Sequence, residues 1–305
     1  MKRLISVRSF RKNRDLLLLA LPGVLFIFLF SYVPLYGLII PFKNFQYDLG
    51  LWRSPWVGFD NFRFLFNSED VLRATWNTVS LNTAFIFLLL VVSVAFALML
   101  NELSRKAIRI YQTTMFFPYF LSWVVVSYVF LGLLDMEHGL INNLLQSFGL
   151  EAVLWYNEPV YWPFLLTAGN TWKGAGYFAI IYYTGLLGID QEYYEAADLD
   201  GASRLRQVWH ISLPLLKPLI AMMVLLQVGR IFYGNFDLFY NLPRDSAALY
   251  ETTDVIDTYV FRALRSTGDI GMASAAGVYQ SVVGFFIVLA SNLVIKRINP
   301  ENALF

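Results

Sequence analysis

Residues 195–214 read EAADLDGASRLRQVWHISLP, a polar stretch that separates two long apolar blocks of the chain. Asp190, just before it, can cap the start of a helix by accepting from free backbone amides. Gly201 can adopt a positive φ and end that helix in a sharp turn. A second helix over Ser203–His210 then leads to Pro214, which is expected to start the next apolar block. The pattern predicts a helix-turn-helix hairpin projecting from an apolar body.

The composition of the 305-residue chain indicates that this apolar body lies in a membrane. Hydrophobic residues make up 57% of the sequence and charged residues 15%, and the mean hydropathy is +0.54. Soluble domains carry about 25% charged residues. The net charge of +1 provides no overall attraction to nucleic acid. Without cysteine there are no disulfides, thiolate metal sites or thiol catalysis, and two histidines far apart in sequence argue against an imidazole metal site. We expect an all-α integral membrane protein.

A helix needs about 20 mostly apolar residues to cross a membrane, and six segments are predicted to do so. They are Leu16–Ile40, Thr78–Leu100, Met115–Leu134, Tyr161–Ile189, Leu213–Phe232 and Ala273–Ile295. The first follows a basic start, but it is longer than the apolar core of a signal peptide, about 7–15 residues. We therefore interpret it as a retained span, kinked at Pro22 and Pro34. The fourth carries Lys173 and is expected to bend or break near Gly174–Gly176.

Lysine and arginine are unevenly distributed among the segments that connect these spans, and such a bias sets the orientation of a membrane protein. With the N-terminus inside, 13 basic residues fall on the inner side: Lys2, Arg3, Arg8, Arg11, Lys12, Arg14, Arg105, Lys106, Arg109, Arg204, Arg206, Lys296 and Arg297. Seven fall on the outer side: Lys43, Arg53, Arg63, Arg73, Arg244, Arg262 and Arg265. The bias predicts that both ends of the chain and the Glu195 hairpin lie in the cytoplasm.

The spacing of seven hairpin residues resembles the cytoplasmic coupling loop of permease subunits of bacterial ATP-binding-cassette importers. These residues are Glu195, Ala196, Ala197, Gly201, Ile211, Leu213 and Pro214. Val57–Phe62 followed by Asn77–Thr78 resembles the outer segment and second-span start of sugar-importer permeases. Trp172–Gly176, Asp254–Val260 and Asn299–Phe305 resemble the subgroup for oligosaccharides and polysaccharide fragments. In physical terms, the two small alanines allow another protein to approach closely, and Glu195 can pair with an arginine on it.

The resemblance implies a type I importer in the bacterial cytoplasmic membrane, in which this chain is the permease subunit for a carbohydrate, expected to be an oligosaccharide. Such an importer combines two permease subunits, here expected as a heterodimer, with two ATP-binding subunits and an extracellular or periplasmic solute-binding protein. ATP and Mg²⁺ then belong to the partner ATPase, and the chain itself is expected to have no cofactor and no enzymatic activity. The sequence supports this independently: a P-loop needs Gly-Lys before Ser or Thr, and none of the seven lysines follows a glycine.

These interpretations divide the chain into five parts. They are a basic cytoplasmic N-terminus at 1–15, span 1 at 16–40, an outer segment at 41–77, a permease core at 78–295 that contains spans 2–6 and the coupling loop 190–212, and a cytoplasmic C-terminus at 296–305. The aromatic part of the outer segment, residues 41–75, is expected to lie at the membrane interface, with direct substrate contact as the alternative. The acidic segment 234–272 is expected to carry a short helix before the last span.

Polar residues inside spans are costly in lipid and usually face protein or a water-filled path. Ten residues with amides, hydroxyls, aromatic faces or charge are therefore candidates for a sugar path: Asn82, Tyr128, Asn170, Trp172, Lys173, Tyr177, Gln227, Tyr233, Asn235 and Tyr279. Ordinary packing is the alternative for each aromatic residue. Lys173 is expected to pair with an acid of the other subunit or to contact the sugar, and Arg230 to extend to the outer interface. For both cations a purely structural role is the alternative.

Two other classes of function compete with the importer. A secondary transporter driven by protons or sodium requires acids within its spans as ion relays, and the confident spans contain none. A membrane-embedded enzyme, such as a glycan-processing protein, requires reactive groups near one membrane face, and His210 is the one suitable base. Within the hairpin interpretation, His210 belongs to the second coupling helix.

Overall fold

A computed structural model of the protein describes residues 14–298. Residues 1–13 of the predicted basic N-terminus and the ending 299–305 lie outside the described residues. The helices of eight or more residues in this part of the chain are α1 (Arg14–Ile27), α2 (Glu69–Asn101), α3 (Arg105–Phe116), α4 (Trp123–Leu134), α5 (Leu140–Ser147), α6 (Trp162–Leu187), α7 (Gln191–Leu199), α8 (Leu213–Val228), α9 (Ile256–Thr267) and α10 (Ile270–Ile298). The all-α prediction is confirmed: between residues 14 and 298 the one β feature is an isolated bridge between Lys43 and Trp56.

Shorter helical pieces connect or extend these helices. The short α-helices are Gly50–Arg53, Phe64–Asn67, Arg204–Gln207, Phe236–Asn241 and Tyr250–Thr253. The 3₁₀ segments are Val33–Phe42, Asp60–Phe62, Phe117–Phe120, Trp155–Asn157, Pro159–Tyr161 and Ala247–Leu249, and the π turns are Phe28–Tyr32 and Val208–Ser212. The short helix expected before the last span is present as α9.

The centre of the fold is the pair α2 and α6, which pack against each other along their length. One core cluster joins Phe85 of α2 to Trp162 and Leu166 of α6, and a second joins Ala97 of α2 to Tyr182 of α6. All five side chains are buried. Because the two helices are fixed to each other in this way, they form a frame for the polar groups between them and α8.

Within residues 14–298, four helical segments are long and apolar enough to cross a membrane: Arg14–Phe42, Glu69–Asn101, Arg204–Val228 and Ile270–Leu293. Arg105–Phe120 and Trp123–Leu134 together form a fifth candidate, bent by 99° at the break between them. The predicted span Met115–Leu134 therefore corresponds to parts of two helices with a break between them rather than to one helix. The reason is local: Pro118 lies in a 3₁₀ turn, and Ser122 starts a new helix by accepting from the Val125 amide at 3.2 Å.

The expected helix near Gly174–Gly176 is not broken, because α6 is continuous through this stretch. Gly174 and Gly176 instead allow neighbouring helices to pack closely against α6. A Cβ at Gly176 would lie 1.9 Å from the backbone oxygen of Met115, and one at Gly174 would lie 3.1 Å from the Leu89 side chain. Glycine in a helix costs up to about 1 kcal/mol relative to alanine, and here it allows α3 and α2 to approach.

The helix after the hairpin also differs from the prediction. Its α-helical part begins at Leu213 with Pro214 in the first turn, as predicted, but helical structure continues without a gap from Arg204 through the π turn into α8 and forms one 25-residue segment, Arg204–Val228. This helix ends at Val228 rather than at Phe232, because Gly229 begins a stretch of turns. In the first span, Pro22 lies inside α1 and Pro34 lies at the start of the 3₁₀ continuation of α1.

Candidate functional site

The stretch Asp190–Ser212 forms a compact hairpin, as the sequence predicts. The side chain of Asp190 accepts from the Glu192 amide at 3.1 Å and begins α7. Gly201 has φ +72° and ends it. The Ala202 amide donates to the Ala197 oxygen at 2.9 Å and the Gly201 amide to the Asp198 oxygen at 3.1 Å, which is the paired Schellman pattern of a glycine-terminated helix.

Side-chain contacts fix the two arms of the hairpin to each other. The Tyr194 hydroxyl lies 2.9 Å from the Ser212 hydroxyl. Gln207 is buried, and its Nε2 donates to Asp198 at 2.6 Å. Arg204 lies 3.9 Å from Glu102, just beyond the end of α2. The hairpin is therefore braced internally and is also linked to the α2–α6 frame.

The hairpin displays apolar side chains that nothing in the described chain covers. Leu199 at its tip is 91% exposed, and Leu205 and Trp209 on the second arm are 68% and 63% exposed. The seven motif residues divide into two groups by position: Glu195, Ala196 and Gly201 are exposed and Ala197 is half-buried near the tip, whereas Ile211, Leu213 and Pro214 are half-buried where the arm passes into α8. His210 is exposed, with Nδ1 3.0 Å from the Arg206 oxygen.

A cavity of about 700 Å³ lies between α2, α6, the α3–α4 junction, α8 and the segment after α8. Six of the ten candidate path residues line it: Asn82, Asn170, Tyr177, Gln227, Tyr233 and Asn235. The lining also includes Tyr119 and Arg230, which sequence reasoning did not place there. Arg230 is the one charged residue among those that line the cavity.

The other four candidates lie elsewhere. Tyr128 packs under Arg244, whose Cζ lies 5.7 Å from the ring centre. Tyr279 packs edge-on against Phe66 and Phe232. Trp172, like Tyr128 and Tyr279, is absent from the cavity lining, and it is 46% exposed.

Lys173 is the fourth candidate outside the cavity lining, and its side chain binds to the α3–α4 junction. Its Nζ donates to the Tyr119 oxygen at 2.8 Å and lies 5.3 Å from the Tyr119 ring centre and 5.4 Å from that of Trp123. It thereby satisfies a carbonyl that the helix break leaves free and gains cation–π contacts. Tyr119 in turn stacks on Tyr177 with ring centres 4.5 Å apart, and this pair presents aromatic surface at the cavity.

The opposite side of the cavity contains a turn, Gly229–Asn235, that separates α8 from Phe236–Asn241. Asn82 Nδ2 donates to the backbone oxygens of Ile231 at 3.0 Å and Tyr233 at 3.3 Å. We call Gly229–Asn235 the cavity turn. The end of α8 leaves backbone carbonyls without helical partners, and Asn82 satisfies two carbonyls of the following turn, so it has a structural part here as well as a place in the lining.

A half-buried carboxylate completes the support of the cavity turn. Asp257 Oδ2 accepts from the Gly234 amide at 2.7 Å and from Gln280 Nε2 at 3.1 Å, and Gln280 also donates to the Phe232 oxygen at 2.8 Å. Burial raises the pKa of Asp257 above its ordinary value. Gly234 is required by space, since a Cβ there would lie 2.8 Å from Val255 Cγ2. The sequence analysis included Asp257 only in the stretch Asp254–Val260 that resembles the oligosaccharide subgroup, and assigned it no role of its own.

Comparison with known proteins gives the class of this site. Residues 90–300 match the family described as the binding-protein-dependent transport system inner membrane component. The chain belongs to this family. As an inner membrane component it is a multi-pass membrane protein and a permease of an ATP-binding-cassette importer, as the hairpin resemblance predicted.

Similar proteins cover nearly the whole chain. The permease is 32% identical over 295 residues to protein LplB of Bacillus subtilis (strain 168), which is 96% of this chain and 92% of LplB. It is 35% identical over 292 residues to the polygalacturonan/rhamnogalacturonan transport system permease protein YteP of the same organism, 95% of this chain and 90% of YteP. A crystal structure of a bacterial ABC transporter involved in the import of the acidic polysaccharide alginate matches with a TM-score of 0.88 at 32% identity, covering 96% of this chain and 98% of that chain.

Proposed function

We propose that this chain is one of two permease subunits of an ATP-driven importer that moves an oligosaccharide into the cell, and that Asp190–Ser212 is where the ATPase acts on it. The observation that carries the proposal is the continuous helix Arg204–Val228. It starts in the hairpin and ends at the cavity, where Gln227 contributes to the lining. A force on the hairpin is therefore transmitted along one continuous helical segment to the proposed sugar path.

The proposed topology has six crossings, with both chain ends and the hairpin in the cytoplasm. Five crossings correspond to the four long apolar segments and the bent pair. The sixth is α6, whose 26 residues span about 39 Å at 1.5 Å per residue, more than the roughly 30 Å hydrocarbon core. Its polar residues, among them Asn170 and Lys173, face the cavity or the α3–α4 junction rather than requiring lipid contact.

The hairpin surface suits a protein partner. An apolar side chain that is 91% exposed, as Leu199 is, gains free energy when a partner covers it. Glu195 beside it supplies a charge for orientation. We propose that the ATP-binding subunit covers this surface and holds ATP and Mg²⁺, since this chain has no P-loop. The second permease subunit, a related but different chain, is proposed to close the open side of the cavity.

A carbohydrate is the substrate that the cavity chemistry favours. Stacked aromatic rings such as Tyr119 and Tyr177 suit the apolar faces of sugars, and amides such as Asn82 and Asn170 suit their hydroxyls. The names of YteP and of the alginate importer support this class. A solute-binding protein on the outer side is proposed to deliver the sugar.

Purification of this chain from detergent-solubilised native membranes tests the proposal. We expect a second permease and an ATPase with a Walker motif to remain bound, and Glu195→Ala to reduce the amount of ATPase retained without reducing membrane insertion. Glu137→Ala, a change at an exposed acid in the segment after α4, is the matched control. Recovery of the chain alone, with uptake driven by protons or sodium, would contradict the proposal.

A further inference from the structure

The α3–α4 junction carries a part of the cavity wall that no continuous helix supports. Tyr119 lies there in the 3₁₀ turn Phe117–Phe120, and it lines the cavity. The helical segments before and after the junction are bent by 99° relative to each other. Such a break leaves backbone groups without helical partners, and in a membrane span neighbouring elements have to satisfy them. The position of Tyr119 therefore depends on contacts from outside the junction.

Helix α6 provides two such contacts, one helical turn apart. Lys173 Nζ donates to the Tyr119 oxygen at 2.8 Å. At Gly176 a Cβ would lie 1.9 Å from the Met115 oxygen, so the backbones of α6 and α3 come into direct contact there. Residues three apart on a helix lie on one side of it. Gly176 allows the close approach, and Lys173 supplies the side chain that bonds α6 to the junction.

The ammonium group of Lys173 contacts both sides of the break. Its Nζ lies 5.3 Å from the ring centre of Tyr119, before the break, and 5.4 Å from that of Trp123, the first residue of α4. Among residues 14–298 no carboxylate lies within ion-pair distance of Lys173. A cation in a span is costly, and here its attraction to one carbonyl and two ring faces offsets that cost. The charge of Lys173 therefore holds the junction.

The junction presents an aromatic surface that it shares with α6. The Tyr119 ring is stacked on that of Tyr177, with centres 4.5 Å apart and planes 9° from parallel. Phe116, at the end of α3, is near-parallel to both rings, at 14° and 19°. Phe116 and Tyr119 belong to the junction side and Tyr177 belongs to α6, so this surface exists only while the junction is held against α6.

We propose that Lys173 is a positioning residue for transport: it holds Tyr119 against Tyr177 and thereby sets how firmly the cavity holds a sugar ring. The inference rests on the proposed function and gives a role to a residue outside the cavity lining. The contact includes no residue of the hairpin or of Arg204–Val228. Its loss should therefore leave the ATPase active and weaken only the hold on the sugar, so that more ATP is hydrolysed for each sugar imported.

Spin-label distances test the positioning step without any sugar. The chain has no cysteine, so Phe117→Cys in the junction and Phe164→Cys on α6, both at exposed side chains, each take one nitroxide in an importer with cysteine-free partner subunits. We expect a narrow distance distribution, a broader or shifted one with Lys173→Met, and recovery with Lys173→Arg, which keeps the charge and the donors. Lys106→Met, at an exposed lysine at the start of α3, is the matched control and should cause no change. An unchanged distribution in Lys173→Met would overturn the inference.

Transport measurements test the consequence for the sugar. The complete importer and its binding protein are reconstituted in proteoliposomes and offered short oligosaccharides from a partial acid hydrolysate of mixed polysaccharides. Mass spectrometry quantifies internalised sugar, and phosphate release quantifies ATP hydrolysis. Lys173→Met should raise the amount of ATP hydrolysed per sugar about tenfold, the size of effect of a lost hydrogen bond to a charged group. Lys173→Arg should lie close to wild type, and Lys106→Met should again cause no change.

A double variant separates positioning from an independent effect of Lys173. Tyr119→Leu removes the ring and should also raise the ATP hydrolysed per sugar. Adding Lys173→Met to it should cause no further rise, because the ring that Lys173 positions is already absent. Effects that multiply would overturn the inference, as would a parallel fall of ATP hydrolysis and uptake in Lys173→Met at an unchanged ratio. If wild type imports none of the oligosaccharides in the presence of ATP, the proposed function is wrong, and the spin-label distances still decide whether Lys173 positions the junction.

Discussion

The hairpin and the cavity turn are both short interruptions between helices, and they are held in opposite ways. The contacts of the hairpin are local: Asp190 caps a residue two positions on, and Asp198 is bonded to Gln207 nine positions on. The cavity turn depends on Asn82, 149 residues before the carbonyl of Ile231 that it satisfies. The hairpin is thus a self-contained unit, whereas the cavity turn exists only when several helices are assembled.

This difference matches what each region has to do in the proposed mechanism. A self-contained hairpin can be displaced as a unit by a partner without losing its own structure. The cavity turn, held by three separate helices, changes shape as soon as one of them moves, and that changes the lining of the cavity. One helix, Arg204–Val228, connects the two regions.

The largest expected effect comes from destroying the hairpin turn. Gly201→Pro is expected to abolish ATP-dependent uptake and ATPase retention while leaving the chain in the membrane, because proline cannot adopt the φ of +72° found there. Uptake into vesicles and co-purification measure both effects.

Gly149 provides the matched control, since it has φ +76° at the end of α5 and the Leu150 amide there donates to the Leu145 oxygen at 3.0 Å. It repeats the same turn in a different connecting segment. Gly149→Pro should leave ATPase retention intact. Equal loss of retention in both variants would mean that the effect reflects general misfolding.

Each region has a side chain that hydrogen-bonds to its backbone. Removing that side chain should reduce the free energy of unfolding more in the cavity turn than in the hairpin. Asn82→Ala leaves the carbonyls of Ile231 and Tyr233 without their donor, and we expect a loss of about 2 kcal/mol in unfolding free energy. Asp190→Ala removes one helix cap that water can replace, with an expected loss of about 1 kcal/mol. Unfolding of both variants in detergent measures the two losses in unfolding free energy. A larger loss in Asp190→Ala than in Asn82→Ala would contradict this prediction.

Asp257 should make the cavity turn sensitive to pH. Burial raises the pKa of Asp257 in the folded protein above its unfolded value. The folded state therefore binds the proton more tightly, so this group's contribution to stability is present at low pH and is lost as the pH rises through the two values. Asp257→Asn should reduce that dependence while retaining an acceptor for the Gly234 amide. Thermal unfolding from pH 4 to 7 is the measurement, and an unchanged slope would contradict this interpretation.

The smallest expected effect concerns a brace within the hairpin. Tyr194→Phe removes the hydroxyl that lies 2.9 Å from Ser212 and should cost about 1 kcal/mol or less. Because the other braces remain, hydrogen exchange should accelerate in the hairpin only. Acceleration at the cavity turn as well would show that the hairpin is less independent than its local contacts indicate.

The same division between local and distant contacts explains what the sequence could predict. The Asp190 cap and the Gly201 turn follow from residues a few positions apart, and the structure has both. The cavity turn could not be predicted, because Gly229 alone does not reveal that Asn82 and Asp257 satisfy the backbone after it. Local reasoning also misread Gly174–Gly176, because close packing against α3 and α2, not backbone flexibility, requires those glycines.

Cross-linking shows directly whether a separate ATPase contacts this hairpin. The chain has no cysteine, so Leu199→Cys carries a single benzophenone-maleimide label at the hairpin tip. Phe148→Cys, at a side chain that is 80% exposed just after α5, is the control. We predict that light links Leu199→Cys, but not Phe148→Cys, to the ATP-binding subunit in native membranes. If labelled Leu199→Cys forms no cross-link to the ATP-binding subunit in membranes that still import the sugar, the ATPase does not act on this hairpin.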